Sequence, residues 1–153
     1  MSVVDSDKLV YPKQVIDELD WYKTKGYDRP LEWAKSNSTR ATRHGELFAE
    51  LSEVMNHPIA NKVCDPNKSF GPEEADPYVL ALALHLKASQ KTVTVITEES
   101  KTTPNKLALN QACGALRIYS VKVEVFLQDQ GIFPSSAPKL SQGPQKKRSK
   151  IPK

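Results

Sequence analysis

"EEADPYVLALAL", residues 73–84, opens with three carboxylates, Glu73, Glu74 and Asp76, and then turns apolar. Val79, Leu80, Leu82, Leu84 and Leu86 do not fall on one narrow stripe of a 3.6-residue repeat, so a helix over about Asp76–Ala88 is expected to be covered on most sides. Asp76 followed by Pro77 reads as its start, with Asp76 as N-cap and Pro77 at the first helical position. Downstream, "TVTVIT" (92–97) is β-branched throughout and reads as a buried strand. "EESKTTPN" (98–105) is a polar loop. "KLALNQACG" (106–114) is a compact helix with Gly114 as its stop, "ALRIYS" (115–120) a second strand, and "VKVEVFLQDQG" (121–131) a closing helix whose Val-rich start also permits strand. Helix, strand, helix, strand, helix in that order implies parallel strands joined by crossover helices, an α/β sandwich.

The first half is less regular. "KLVYP" (8–12) holds a short strand end, Leu9–Tyr11, and Pro12 suits the first turn of a helix. Val15, Ile16, Leu19 and Tyr22 follow at helical spacing, with Gly26 available as a stop. "RPLEWAKSN" (29–37) predicts a short helix. Leu47, Phe48, Leu51, Val54 and Met55 make one stripe that Pro58 ends. "ANKVCDPNKSFGPEEA" (60–75) has the composition of a loop.

At 153 residues, with 39% hydrophobic and 26% charged, the chain suits one globular domain. No apolar run approaches the roughly 18 residues that cross a bilayer, and the N-terminus lacks a secretory pattern. Cys64 and Cys113 stand in no metal or redox spacing, so a reduced, cytoplasmic protein is expected. Of the 22 basic residues, six lie in 138–153 with no acid among them, leaving 16 against 18 acids, so the body carries about −2. The division is therefore a domain over 1–137 and a basic, solvated tail over 138–153, with loose RNA contact through phosphates as the tail's second reading. His44, His57 and His85 are scattered, and no Gly-rich phosphate loop or Gly-x-Ser-x-Gly elbow is present. Trp21 and Trp33 read as core or interface residues, and Lys106 and Arg117 as solvated bases that would otherwise meet RNA phosphate.

Sites in open α/β sheets form at the carboxyl ends of strands. Glu98 and Glu99 directly follow "TVTVIT", and a helix antiparallel to that strand would start at the same edge, bringing Asp76 there. Clustered carboxylates repel unless a cation sits among them, and Mg²⁺ needs only one or two direct carboxylates. The same acids also suit plainer roles: Asp76 as a cap, Glu73 and Glu74 as complements to the helix dipole, Glu98 and Glu99 as a solvated loop, Asp17 and Glu18 on a wet helix face.

Taken in order, "KLVYPKQVIDEL", "EEADPYVLALAL", "TVTVITEE" and "NKLALNQACGALRIYSVKVEVFL" resemble the PIN-like nucleases, the fold of VapC-type toxins. More narrowly they resemble an uncharacterised bacterial PIN-like family with "ADP" before an apolar helix and a strand ending in Thr-x-Glu. The likeness runs from about Lys8 to Ile132. It implies a PIN-like three-layer sandwich with a central parallel sheet, and a site of three or four acids that binds Mg²⁺ or Mn²⁺ and cleaves RNA. A metal-dependent endoribonuclease, the toxin of a toxin–antitoxin pair, is the activity it points to, with RNA as substrate and an antitoxin protein as partner. Glu18 matches the glutamate of "V-x-x-E-L", Asp76 the acid before the apolar helix, and Glu99 the acid after the next strand, with Glu98 as near alternative. Each would hold the metal directly or through water, with Glu73 and Glu74 further out.

The departure is at the front. PIN domains begin with a strand carrying an Asp, some tens of residues before the "V-x-x-E-L" helix. "SVVDSD" looks like a strand ending in Asp5, but a parallel crossover needs a dozen or more residues, and the helix follows too soon. The expectation is an N-terminally truncated domain lacking that strand. Its alternative function is a catalytically incomplete module that binds RNA or protein, and an exposed sheet edge would promote homodimers.

Overall fold

The computed structural model describes residues 9–23, 28–43 and 46–132. Asp5, Gly26, His44, the boundary at residue 137 and the basic tail lie outside the described residues.

The described chain is mixed α/β. β1 (Tyr11–Pro12) leads directly into α1 (Lys13–Tyr22), with Pro12 in extended conformation at the N-cap. α2 (Arg29–Ala41) is capped by Asp28, whose Oδ1 accepts the Leu31 N–H at 3.1 Å, and has a proline in its first turn. It runs past the expected end at Asn37. Its polar residues bond back onto the preceding turn, Asn37 Nδ2 to Trp33 O at 2.8 Å and Ser38 Oγ to Lys35 O at 2.8 Å, rather than breaking the helix. β2 (Thr42–Arg43) follows at once and pairs in parallel with β1, Tyr11 opposite Thr42. Two polar residues carry no strand signature, so this element was not legible in the sequence. α3 (Phe48–Asn56) and a 3₁₀ turn (Ala60–Val63) come next.

α4 (Ala75–Ala88) is the spine of the fold. It buries Ala75, Pro77 and the run Leu80–Ala83, and packs on α3, α1, β1 and β3. Its N-cap is Glu74 and not Asp76, which lies in the first turn. The main core joins Leu80 and Ala83 to Val54, Ala60, Val63, Val95, Leu109, Ala112, Cys113, Leu116 and Ile118. A smaller cluster unites Tyr11, Ala34 and Ala41 with Val15, Ile16 and Leu19, tied by a 2.6 Å bond from the Tyr11 hydroxyl to Ala34 O.

β3 (Thr94–Ile96) and β4 (Tyr119–Val121) pair in parallel, Val95 opposite Ser120, with α5 (Leu109–Ala115) crossing between them and α6 (Val123–Asp129) as the last element among the described residues. Parallel pairing and crossover match the expected alternation. The details differ. β3 is shorter than "TVTVIT", and only Val95 is buried. Gly114 lies inside α5, and Arg117, at φ 55°, makes the left-handed turn expected of a glycine, which lets the Ile118 N–H reach Cys113 O at 2.8 Å.

One continuous sheet was expected, and two parallel pairs, β1–β2 and β3–β4, are found. Among the described residues β1 and β3 each have a strand on one side only. A groove of about 1,010 Å³, lined by Leu9–Pro12, Lys91–Ile96 and the Val79, Leu82, Ala83 and Leu86 face of α4, runs between the pairs. Trp21 and Trp33 do not belong to the core: they are 60% and 47% exposed, Trp33 beside the Tyr11 ring and Trp21 against Gly71. No helix among the described residues is long and apolar enough to cross a membrane.

Candidate carboxylate–lysine site

The N-terminus of α4 and the loop after β3 meet at one edge. Asp76 sits in the first turn of α4, and Glu99 sits three residues beyond β3. Between them stands Lys106. Its Nζ is 2.6 Å from Asp76 Oδ2 and 3.7 Å from Glu99 Oε1, and the three side chains are about one-fifth to one-third exposed. The antiparallel run of α4 and β3 therefore brings together acids that are 23 positions apart in the chain.

Each partner is held by local structure. The Thr97 hydroxyl accepts the Glu99 N–H at 3.0 Å, and Glu99 Oε2 accepts the Leu109 N–H at the start of α5, also at 3.0 Å. Lys106 lies in a turn closed by two bonds with Thr103, from the Thr103 N–H to Lys106 O at 2.9 Å and from the Lys106 N–H to Thr103 Oγ1 at 3.0 Å. The next residue, Leu107, donates its N–H to Lys62 O at 2.7 Å. The loop is thus pinned on both sides of the lysine. Burial pulls the Lys106 ammonium toward lower pKa, but the Asp76 hydrogen bond and the charges of Asp76, Glu99 and Glu74 outweigh it, and the net shift is upward. The lysine, expected to be merely solvated, is a fixed cation among acids.

The other candidate acids are engaged elsewhere. Glu98 Oε1 accepts the Val123 N–H at the start of α6 at 2.9 Å, so of the two adjacent glutamates Glu99 joins Asp76. Glu18, on α1, is paired with Lys68 at 3.7 Å. Glu74 Oε2 accepts the Asp65 N–H at 3.0 Å, and Glu73 Oε2 accepts the Tyr78 hydroxyl at 2.7 Å; that bond, with burial, pushes the Tyr78 phenol up to about 12. Among the described residues no three His, Cys, Asp or Glu side chains stand where one metal ion would reach them all. Two carboxylates do converge on one cation, the Lys106 ammonium, and that is the direct-ligand count Mg²⁺ commonly takes from a protein. The donor set, all oxygen, suits a hard divalent ion.

The two cysteines flank this region with different access. Cys113 is fully buried in the core, and burial with the nearby Asp76 charge pushes its thiol up to about 12. Cys64 is half-buried and lies 3.9 Å from the Met55 sulfur. Its pKa is raised by burial, then by Glu74 and Asp76, and lowered by Lys106 and Lys68. Cys64 also lines a pocket of about 450 Å³ beside the α4 N-terminus, together with Met55, Phe70, Glu74 and Tyr78. With a thiol reagent at pH 8, Cys64, half-buried and with its pKa raised, is expected to react more slowly than an exposed thiol but well ahead of Cys113, which reacts only as fast as the domain opens. Two equal rates in a stopped-flow absorbance trace would contradict the enclosed position of Cys113.

Fold and site together define a mixed α/β protein that gathers carboxylates and a lysine at the carboxyl end of a parallel strand pair. The chain belongs to the family described as a domain of unknown function, DUF4411, which matches residues 1–133. No curated protein and no solved structure matches it.

Proposed function

We propose that the protein is a metal-dependent ribonuclease domain of PIN type, in which Asp76 and Glu99 are the principal metal-holding carboxylates. The observation that carries this reading is the convergence of those two side chains on a single cation position at the carboxyl end of β3. A bound Mg²⁺ or Mn²⁺ would polarise a phosphoryl oxygen and lower the pKa of a coordinated water. Asp76 and Glu99 would hold the ion, and the pinned Thr97–Leu109 loop would keep Glu99 in position. Glu18 would join only after leaving Lys68, and Glu98 only after releasing the start of α6. Phe70, largely exposed, and Tyr78 line the pocket beside the α4 N-terminus, and aromatic side chains of this kind can stack on an unpaired base.

The groove between β1 and β3 also supports a PIN-like arrangement. It lies where one further strand would join the two parallel pairs into a single sheet covered by helices, the three-layer sandwich the sequence resemblance implies. The same groove favours a second reading. Two open strand edges over an apolar helix face suit a binding module that takes up an extended segment of RNA-associated or antitoxin-type protein, or of a second copy, with no catalysis.

Incubating the purified protein with structured and single-stranded RNA separates these readings. The nuclease reading expects cleavage with Mn²⁺ or Mg²⁺ and none in EDTA. Cleavage that persists in EDTA would exclude a metal-dependent mechanism. Absence of cleavage with every RNA and both metals would leave the binding module as the better account.

A further inference from the structure

Lys106 occupies the position at which Asp76 and Glu99 converge. An ordinary surface lysine swings freely and contributes little to a pair. This one differs in three respects. Its backbone is fixed by Thr103 on one side and, through Leu107, by Lys62 on the other. Its ammonium contacts two carboxylates from separate elements. Its side chain is only 24% exposed. A divalent ion bridging the same two carboxylates would meet this ammonium within the range where like charges repel strongly.

We propose that Lys106 is a displaceable internal counter-ion: it neutralises Asp76 and Glu99 in the metal-free protein and is exchanged for the divalent cation when that ion binds. This rests on the metal-binding reading above and adds its regulation. Without the lysine, two carboxylates would face each other uncompensated, so the ammonium offsets their repulsion in the metal-free domain and must be given up on loading. Affinity for the ion is accordingly set by a competition, and the protein loads only where the free ion concentration overcomes the ammonium. The released lysine stays on a pinned loop beside the site, where a phosphate is the natural new partner for its charge.

The test compares wild type with Lys106→Met, which keeps the length of the stem and removes the charge. Mn²⁺ affinity is measured by titration calorimetry, and thermal melting is followed in EDTA and in excess Mn²⁺. Displacement of a charge-assisted hydrogen bond predicts affinity roughly ten- to a hundredfold tighter in Lys106→Met. The variant should also melt below wild type in EDTA and regain most of the difference in Mn²⁺. Equal affinities in the two proteins would overturn the counter-ion proposal and leave the metal site intact. Weaker binding by the variant would overturn it too, by making Lys106 a support of the metal. No Mn²⁺ binding by either protein would remove the metal reading itself, and with it the exchange. Should Lys106→Met fail to fold, the wild-type lysine ammonium can be followed by ¹H–¹⁵N spectroscopy during titration with Mg²⁺. Exchange predicts a shift or loss of the Lys106 signal at saturation, and an unmoved signal would overturn the proposal.

Discussion

Asp76→Asn is expected to abolish nearly all EDTA-sensitive RNA cleavage while the domain stays folded. Asparagine keeps the shape of the side chain and an oxygen that still accepts a hydrogen bond from Lys106 Nζ, now 2.6 Å from Asp76 Oδ2. It loses the charge that would hold a divalent ion. A metal ion contributes several kcal/mol of charge stabilisation to such a transition state, so its loss should slow cleavage by roughly a hundredfold or more. Glu98→Gln is the internal control. Glu98 accepts the Val123 N–H, and an amide oxygen can do the same, so cleavage should fall little and α6 should remain capped. Glu99→Gln should resemble Asp76→Asn in rate, because Glu99 and Asp76 share one cation. Rates are measured on a fluorescent RNA at saturating Mn²⁺, with circular dichroism to check folding. Full activity in Asp76→Asn would remove Asp76 from the site. Loss in Glu98→Gln with activity kept in Glu99→Gln would exchange the roles of the two adjacent glutamates.

The parts of this molecule that were legible in the sequence are those in which local pattern and tertiary contact agree. α4 is the clearest case: an apolar run without a single stripe means a helix covered on most sides, and it is enclosed by α1, α3, β1 and β3. The order of elements after it gave the parallel pair and its crossover. What was not legible depends on partners distant in sequence. Thr42–Arg43 become a strand only because Tyr11–Pro12 lies alongside. Asp76–Pro77 has the form of a cap, but Lys106, 30 positions away, draws the Asp76 carboxylate into an ion pair, and Glu74 takes the cap position. Glu98 and Glu99 are indistinguishable as neighbours, and only the positions of α5 and α6 separate them, one carboxylate turning to each helix start. Lys106 itself carries no signal: a lysine in a Thr-, Pro- and Asn-rich loop reads as solvated, and its role follows from two acids that the fold delivers.

Leu80→Ala is expected to be strongly destabilising, because Leu80 is the largest of the completely buried side chains and lies at the middle of the helix on which α1, α3, β1, β3 and the 3₁₀ turn pack. Its removal deletes three carbons from a site bounded by α3, the 3₁₀ turn and α5, elements that other core contacts hold in place and that cannot all close on the gap. Such truncations cost about 2–5 kcal/mol, a large share of the roughly 5–15 kcal/mol by which a domain is stable. Leu86, two turns along the same helix, makes the contrast informative. It is only half-buried and lines the groove between the strand pairs, so Leu86→Ala should cost clearly less, and the space it leaves opens onto an existing cavity. Urea unfolding followed by tryptophan fluorescence measures both midpoints, since Trp21 and Trp33 report on α1 and α2 while the substitutions lie on α4. A single cooperative transition, shifted much further in Leu80→Ala, would show that α1, α2 and α4 unfold as one unit around an enclosed spine. Comparable losses at the two positions would mean that the groove is closed in solution, and that Leu86 is covered by something bound between β1 and β3.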